Sequence, residues 1–127
     1  MPHKTMKRIS TMIVCLMTAI SIFAQNKDFC LADNGKAATI AVDTNDWKGV
    51  LRAANDLRED VNRVTGVTPT LQTTSKLPQG EGRHVIIGTI GKSKLIDLLI
   101  KQKKLNVDGV RGEWESYIIE ILLSGKT

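Results

Sequence analysis

The sequence predicts an α/β domain of the α+β sandwich type, with two helices packed on a mixed sheet of about four strands in the order β-α-β-β-α-β. Three observations predict this class. Residues 83–104 read as a short apolar strand, a glycine turn and an amphipathic helix. Residues 47–64 carry apolar side chains at steps of three or four, the pattern of a helix with one buried face. Residues 114–123 alternate between apolar and polar in the manner of a strand.

The first 24 residues are predicted to be a signal peptide rather than part of the fold. A basic start (Lys4, Lys7 and Arg8) precedes an apolar run over residues 9–23, and Ala24 offers a small residue for cleavage. This run is shorter than the roughly 20 residues that a transmembrane helix needs. We therefore expect export to the periplasm or the extracellular space, and no stable membrane span after the signal is removed. An uncleaved anchor is the alternative interpretation.

The positive charge of the chain is concentrated in that predicted signal. Of 18 basic residues in the 127-residue chain, three lie in the signal, which leaves 15 against 13 acidic residues and a net charge of +2. A nearly balanced domain with only 4% aromatic residues does not predict a nucleic-acid partner. Cys15 leaves with the signal and Cys30 remains alone, so we expect no intrachain disulfide.

The first half of the domain is predicted to contain one strand and one long helix. Residues 25–36 are polar and are expected to form a flexible lead-in to a domain that spans residues 37–127. Residues 37–42 (AATIAV) form the first predicted strand, and residues 43–46 (DTND) supply a turn and a helix cap. The helix follows over residues 47–64.

The predicted buried face of this long helix includes Trp47, Leu57 and Val64. Arg58 lies on its solvent side. Gly66 ends the helix, because glycine adopts the left-handed backbone conformation of a helix end at little energetic cost.

The second half of the domain is predicted to add three strands and the second helix. Residues 70–74 form a short strand, and residues 75–83 form a loop that contains one proline and two glycines. The strand at residues 84–87 leads through the glycine turn to a helix that Ser93 caps. The last strand, residues 114–123, places its larger apolar side chains on one face: Tyr117, Ile119, Ile121 and Leu123.

The turn before the second helix contains Gly91, Lys92 and Ser93, which is similar to the end of a phosphate-binding loop. That motif also requires a glycine five residues before Gly91, and Ile86 stands there within the strand. Nucleotide binding is therefore rejected. The three residues remain candidate substrate-binding positions, because a helix N-terminus can hold an anion, and an ordinary strand-to-helix turn is the alternative.

No catalytic residue, metal site or cofactor is predicted. Glu113 and Glu115 are two residues apart at the start of the last predicted strand, where both can project on one side, and paired carboxylates perform glycoside hydrolysis. Arg111, however, is close enough in sequence to neutralise either one. They are predicted to form a solvated strand end. His84 and Cys30 have no partner at the spacing of metal ligands.

Three blocks stand in order along the chain: residues 61–69 (VNRVTGVTP), residues 85–97 (VIIGTIGKSKLID) and residues 109–117 (GVRGEWESY). Together they resemble the N-terminal region of glycoside hydrolase family 115, the xylan α-1,2-glucuronidases. The resemblance covers roughly residues 35–123. It implies a small α/β domain of the kind that precedes the catalytic barrel in these glucuronidases and in hexosaminidases.

The resemblance also implies that the catalytic residues lie elsewhere. In the family a larger barrel carries the acid and the base, whereas this chain ends at Thr127, which suggests a truncated reading frame. The expected partners are that missing C-terminal barrel and a xylan-type polysaccharide. The alternative is an independent exported module that binds carbohydrate or protein, but Trp47, Trp114 and Tyr117 are expected to be too scattered and too buried to form its binding surface.

Overall fold

The computed structural model describes residues 28–122. The predicted signal peptide and the last residue of the predicted final strand, Leu123, lie outside this range. The elements in chain order are β1 (Ala32–Asp33), β2 (Lys36–Ala37), β3 (Thr39–Val42), α1 (Lys48–Thr65), β4 (Leu71–Thr73), β5 (His84–Ile87) and α2 (Lys94–Lys101).

The main sheet has three parallel strands, with β3 in the centre between β4 and β5. The predicted α/β class with two helices is confirmed, but the sheet is smaller than predicted and its strands are all parallel. Strands β1 and β2 form a separate antiparallel hairpin. The chain reaches β4 through α1, and the long loop after β4 then carries it past β3 to the opposite edge of the sheet.

One face of the sheet packs against α1. Ile40 and Val42 of β3 are fully buried together with Ala54 of α1. Six partly buried apolar residues pack around these three: Val50, Leu51, Leu57, Leu71, Val85 and Ile87. Because side chains alternate along a strand, Ala41 points to the other face, and it too is fully buried.

The second face is covered by α2. This helix contacts β5, and its buried side chains, Leu95, Ile96 and Leu99, take no part in the cluster around Ile40 and Val42. The domain therefore has three layers, with one helix on each side of a parallel sheet. Within residues 28–122, no helix is both long enough and apolar enough to cross a membrane.

The limits of α1 agree with the prediction to within one residue. Gly66 ends the helix with a φ of 73°, and its N–H donates to the Asn62 carbonyl oxygen. The predicted burial of Trp47 and Val64 is wrong, since they are 59% and 84% exposed. An 18-residue helix is about 27 Å long, whereas a four-residue strand covers only about 13 Å, so both ends of α1 extend past the sheet.

The lead-in predicted over residues 25–36 is ordered in its second half. Asn34 and Gly35 both have positive φ, which forms the tight turn that joins β1 to β2. Arg83 forms an ion pair with Asp33 and fixes the hairpin beside the start of β5. The Asn-Gly dipeptide was the sequence signal for this hairpin, but the short polar strands obscured it.

The last predicted strand, residues 114–123, is absent over its described part, residues 114–122. Trp114, Tyr117 and Ile119 are each more than 80% exposed. A strand needs a neighbour for its backbone groups, and this segment pairs with none in the described structure. We call residues 114–122 the tail.

Replacing Leu57 by alanine tests the packing between α1 and the sheet. Leu57 packs against the core cluster, so we expect Leu57→Ala to lower the free energy of unfolding by about 2 kcal/mol. Arg58→Ala is the control, because Arg58 takes no part in the core cluster and hydrogen-bonds to Asn55 and Glu59 of the same helix, so it should change stability by about 0.5 kcal/mol or less. Equal urea midpoints for the two variants would contradict the assigned face of α1.

Candidate functional site at the carboxyl edge of the sheet

The loops that follow β3 and β5 meet at the carboxyl edge of the sheet. The chain leaves β3 towards α1 on one face and leaves β5 towards α2 on the other. In open parallel sheets, the point where neighbouring connections go to opposite faces opens a crevice that commonly holds ligands. This crevice, between residues 43–47 and residues 88–93, is the candidate functional site.

Asp43 lies at the bottom of the crevice and is fully buried. One carboxylate oxygen accepts hydrogen bonds from the Asn45 N–H at 2.8 Å and the Ser75 hydroxyl at 2.9 Å. The other oxygen accepts from the Lys94 N–H, at the start of α2, at 2.6 Å. A single carboxylate thus joins the end of β3, the segment after β4 and the first residue of α2.

The hydrogen bonds also determine the charge state of Asp43. Burial by itself raises the pKa of this carboxyl, but the hydrogen bonds from Asn45, Ser75 and Lys94 favour the ionised form. The nearby charge of Lys94 acts in the same direction, and the net result is a pKa below the usual value. Asp43 is therefore an ionised, fully engaged anchor rather than a proton donor.

Asp46 joins the two loops directly. One of its carboxylate oxygens accepts from the Trp47 N–H at 2.7 Å, and the other accepts from the Thr89 N–H at 2.8 Å. The side chain is 6% exposed. The connection fixes the separation between the loop after β3 and the loop after β5.

The three candidate binding residues face different surroundings. Ser93 is fully buried, and its hydroxyl accepts from the Ile96 N–H, which confirms the predicted helix cap. The Gly91 N–H donates to Asp97 at 2.9 Å. Lys92 is exposed, with its ammonium group 4.7 Å from the centre of the Trp47 ring. An anion at the start of α2 would have to compete with Asp97 for the Gly91 N–H and with Asp43 for the Lys94 N–H.

The exposed part of the crevice is formed by Trp47 and Lys92. The indole is 59% exposed, and the ammonium group lies over its face at the distance of a cation–π contact. Sequence reasoning missed Trp47 as a site residue because the helical pattern placed it on the buried face of α1. The available signal for its exposure was its position, directly before α1 and after a loop rich in Asp and Asn.

The residues that could support acid–base or metal chemistry are not brought together. Glu113, directly before the tail, and Glu115, within it, are both exposed and make no hydrogen bond or ion pair with Asp43 or Asp46 among the described residues. Both ring nitrogens of His84 are buried and have no hydrogen-bond partner within residues 28–122. No group of three or more His, Cys, Asp or Glu residues in this range could hold a metal ion.

The cavities of the described residues are small. The cavity beside the crevice has a volume of about 240 Å³ and is lined by Ser75, Asp97 and the α2 residues Lys94, Leu98 and Lys101. Small-molecule sites usually enclose about 300–1,000 Å³. The cavity beside the crevice is smaller than that range.

Comparison with models of known protein families finds no match for this chain. A search of curated proteins also finds no match.

Gly88 is required where β5 turns into α2. A Cβ at this position would lie 2.5 Å from the Ser93 Oγ and 2.7 Å from the Ile96 Cγ1. We expect Gly88→Ala to displace α2 and to lower the free energy of unfolding by about 1–3 kcal/mol. Gly109→Ala is the matched control, because no atom lies within 4 Å of its added Cβ. Thermal unfolding that shifted equally in both variants would contradict this close contact.

Asp43→Asn tests the anchor. The amide NH₂ would face donors that now meet a carboxylate oxygen, so we expect a loss of about 1–3 kcal/mol in the free energy of unfolding at neutral pH. Because the folded state lowers the pKa of Asp43, its stabilisation is fully present above the ordinary value of 3.8 and is lost as the pH falls through the lower folded pKa. Urea titrations at acidic pH should therefore show a shallower pH dependence for Asp43→Asn than for the wild type.

Asp56→Asn is the control for this measurement. Asp56 pairs with Arg52 at 3.8 Å on the exposed side of α1, where an ion pair contributes little. This variant should keep the wild-type midpoint at neutral pH and the wild-type slope in acid. The same acid slope in Asp43→Asn and the wild type would show that Asp43 does not titrate as described.

Proposed function

We propose that this chain supplies the non-catalytic N-terminal domain of a secreted glycoside hydrolase that resembles xylan α-1,2-glucuronidase and acts in glucuronoxylan breakdown. The observation that carries the proposal is the resemblance of three blocks, in order and at matching spacing, to the N-terminal region of that family. The proposed partners are a C-terminal catalytic barrel and a xylan-type polysaccharide.

The positions of the three blocks support a structural role for this region. Residues 61–69 form the end of α1 and the turn that follows it, and residues 85–97 form most of β5, the glycine turn and the start of α2. Residues 109–117 lead into the exposed tail. The first two blocks build elements of the fold, and the third connects the core to the tail. This distribution agrees with a domain that supports a catalytic barrel.

The proposed contribution to substrate recognition is one wall of the cleft. Of the three candidate residues, Gly91 and Lys92 are exposed and Ser93 is buried. Lys92 carries a positive charge beside the exposed ring of Trp47. An ammonium group next to an aromatic face provides a charge for the carboxylate of a glucuronic acid and a flat surface for a sugar ring.

The alternative is an independent exported module that binds carbohydrate or protein. One observation favours this independent module, namely the exposure of three aromatic residues. Trp47, Trp114 and Tyr117 were expected to be buried but are 59%, 87% and 81% exposed. Exposed aromatic rings are common in binding surfaces, so this candidate is retained.

The first test is an activity measurement with glucuronic-acid-decorated xylan. We expect the full chain to release no glucuronic acid, because the described residues contain no supported acid–base pair. Release that disappears in Glu113→Gln or Glu115→Gln would overturn the non-catalytic assignment.

A second experiment distinguishes the two candidates. The DNA directly downstream should continue in a frame that encodes a catalytic barrel if the chain is an N-terminal domain. Retention of the full chain on immobilised glucuronoxylan, lost in Trp114→Ala but kept in Trp47→Ala, would support an independent module that binds through the tail. Loss in Trp47→Ala alone would support the cleft-wall role of the crevice.

A further inference from the structure

The outer edge of β5 has free backbone groups. Within residues 28–122, β5 pairs only with β3. The Thr39 N–H donates to the Arg83 carbonyl oxygen at 2.9 Å, which shows that Arg83 faces β3. Successive residues of a strand direct their peptide groups to opposite edges. His84 and Ile86 therefore direct their N–H and C=O groups away from β3, towards the open edge.

This edge lacks the features that usually protect a sheet edge. Its sequence is His-Val-Ile-Ile, without lysine, proline or a bulge, and all four residues are only partly buried. Natural sheets avoid such edges by charge, proline, distortion or cover, because a regular apolar edge accepts a further strand. The outer edge of β5 can therefore accept a further strand.

The tail has the complementary properties of a donor strand. No backbone-to-backbone hydrogen bond involves residues 117–122 within the described structure. The segment is not helical, and Tyr117, Ile119 and Ile121 stand at alternate positions, so an extended backbone would place them on one face. Tyr117 and Ile119 are 81% and 87% exposed. The described part of one molecule thus contains both a donor segment, the tail, and an acceptor edge, β5, and the two do not pair with each other.

Charge complements the apolar match between donor and acceptor. The segment that follows β5 ends on Lys101, Lys103 and Lys104, all exposed. The tail is preceded by Glu113 and contains Glu115, both exposed. The tail of a second copy therefore brings acidic groups to a molecule that carries basic groups after its acceptor strand.

We propose that the occupant of the β5 edge is the tail of a second copy of this chain, exchanged reciprocally in a two-fold dimer. Each copy donates residues 117–121 to the partner's β5 and accepts the partner's tail in return. Both edges are then covered, so the assembly closes at two copies and does not extend into a fibre. Strand addition of this kind gains affinity from main-chain hydrogen bonds and specificity from alternate side chains.

The experiment measures the molar mass of the full chain by light scattering over about 1–100 µM. We expect a monomer–dimer equilibrium, with amides of residues 117–121 and 84–87 protected from hydrogen exchange only in the dimer. Ile119→Ser should raise the dissociation constant of the dimer at least about tenfold, since each dimer contains this contact twice. Val64→Ser is the matched control, because Val64 is 84% exposed, close to the 87% of Ile119, but lies in α1. It should leave the association unchanged.

A variant of the acceptor edge completes the test. Ile86→Pro removes an N–H that faces the open edge, so it should prevent association while β3 and β5 stay paired, as circular dichroism can verify. Mixing Ile86→Pro with Ile119→Ser should restore one of the two contacts, so the mixture should form a heterodimer that is weaker than the wild-type dimer but tighter than either variant alone.

Four outcomes would overturn the proposal. A monomer with unprotected tail amides would show that the tail stays free, and a monomer with protected amides would show that it docks on its own β5. Equal weakening by Ile119→Ser and Val64→Ser would indicate non-specific adhesion. Association abolished by Ile86→Pro but unaffected by Ile119→Ser would indicate direct pairing of two β5 edges.

Discussion

The carboxylate of Asp43 holds the carboxyl edge of this domain together. It accepts from Asn45 in its own turn, from Ser75 after β4 and from Lys94 at the start of α2. These groups come from three separate parts of the chain. Because the carboxylate is fully buried and accepts from all three, it links the start of α2 to the end of β3 and to the segment after β4. Gly88 complements it by allowing α2 to approach closely.

The same interaction limits what the crevice can bind. Helix N-termini in α/β sheets often hold phosphate groups through their free N–H groups. Here Asp43, within the chain, takes the position that an external anion would take, and Asp97 takes the Gly91 N–H. The exposed groups at this edge include the ring of Trp47 and the side chains of Lys92 and Lys94. The edge therefore offers an aromatic face and two positive charges.

At the lateral edge formed by β5, the described residues leave backbone hydrogen bonds incomplete. Asp43 and Asp46 satisfy the backbone groups at the carboxyl edge, but the outer groups of β5 have no partner among the described residues. The exposed apolar side chains are concentrated in the tail. Both edge strands of the main sheet, β4 and β5, pair on one side only within residues 28–122.

Sequence alone determined the local elements. The limits of α1 follow from helical periodicity, β5 from its β-branched residues and the start of α2 from the Ser93 cap. Each of these signals acts over a few residues. The candidate Gly91-Lys92-Ser93 turn was located, but not the partners of its N–H groups. Tertiary structure decided which strand is central, that Asp43 reaches Lys94, that Trp47 is exposed and that residues 114–122 form no strand. Each of these depends on groups distant in the chain, because the sheet is short relative to α1 and a strand forms only where another backbone is present to pair with it.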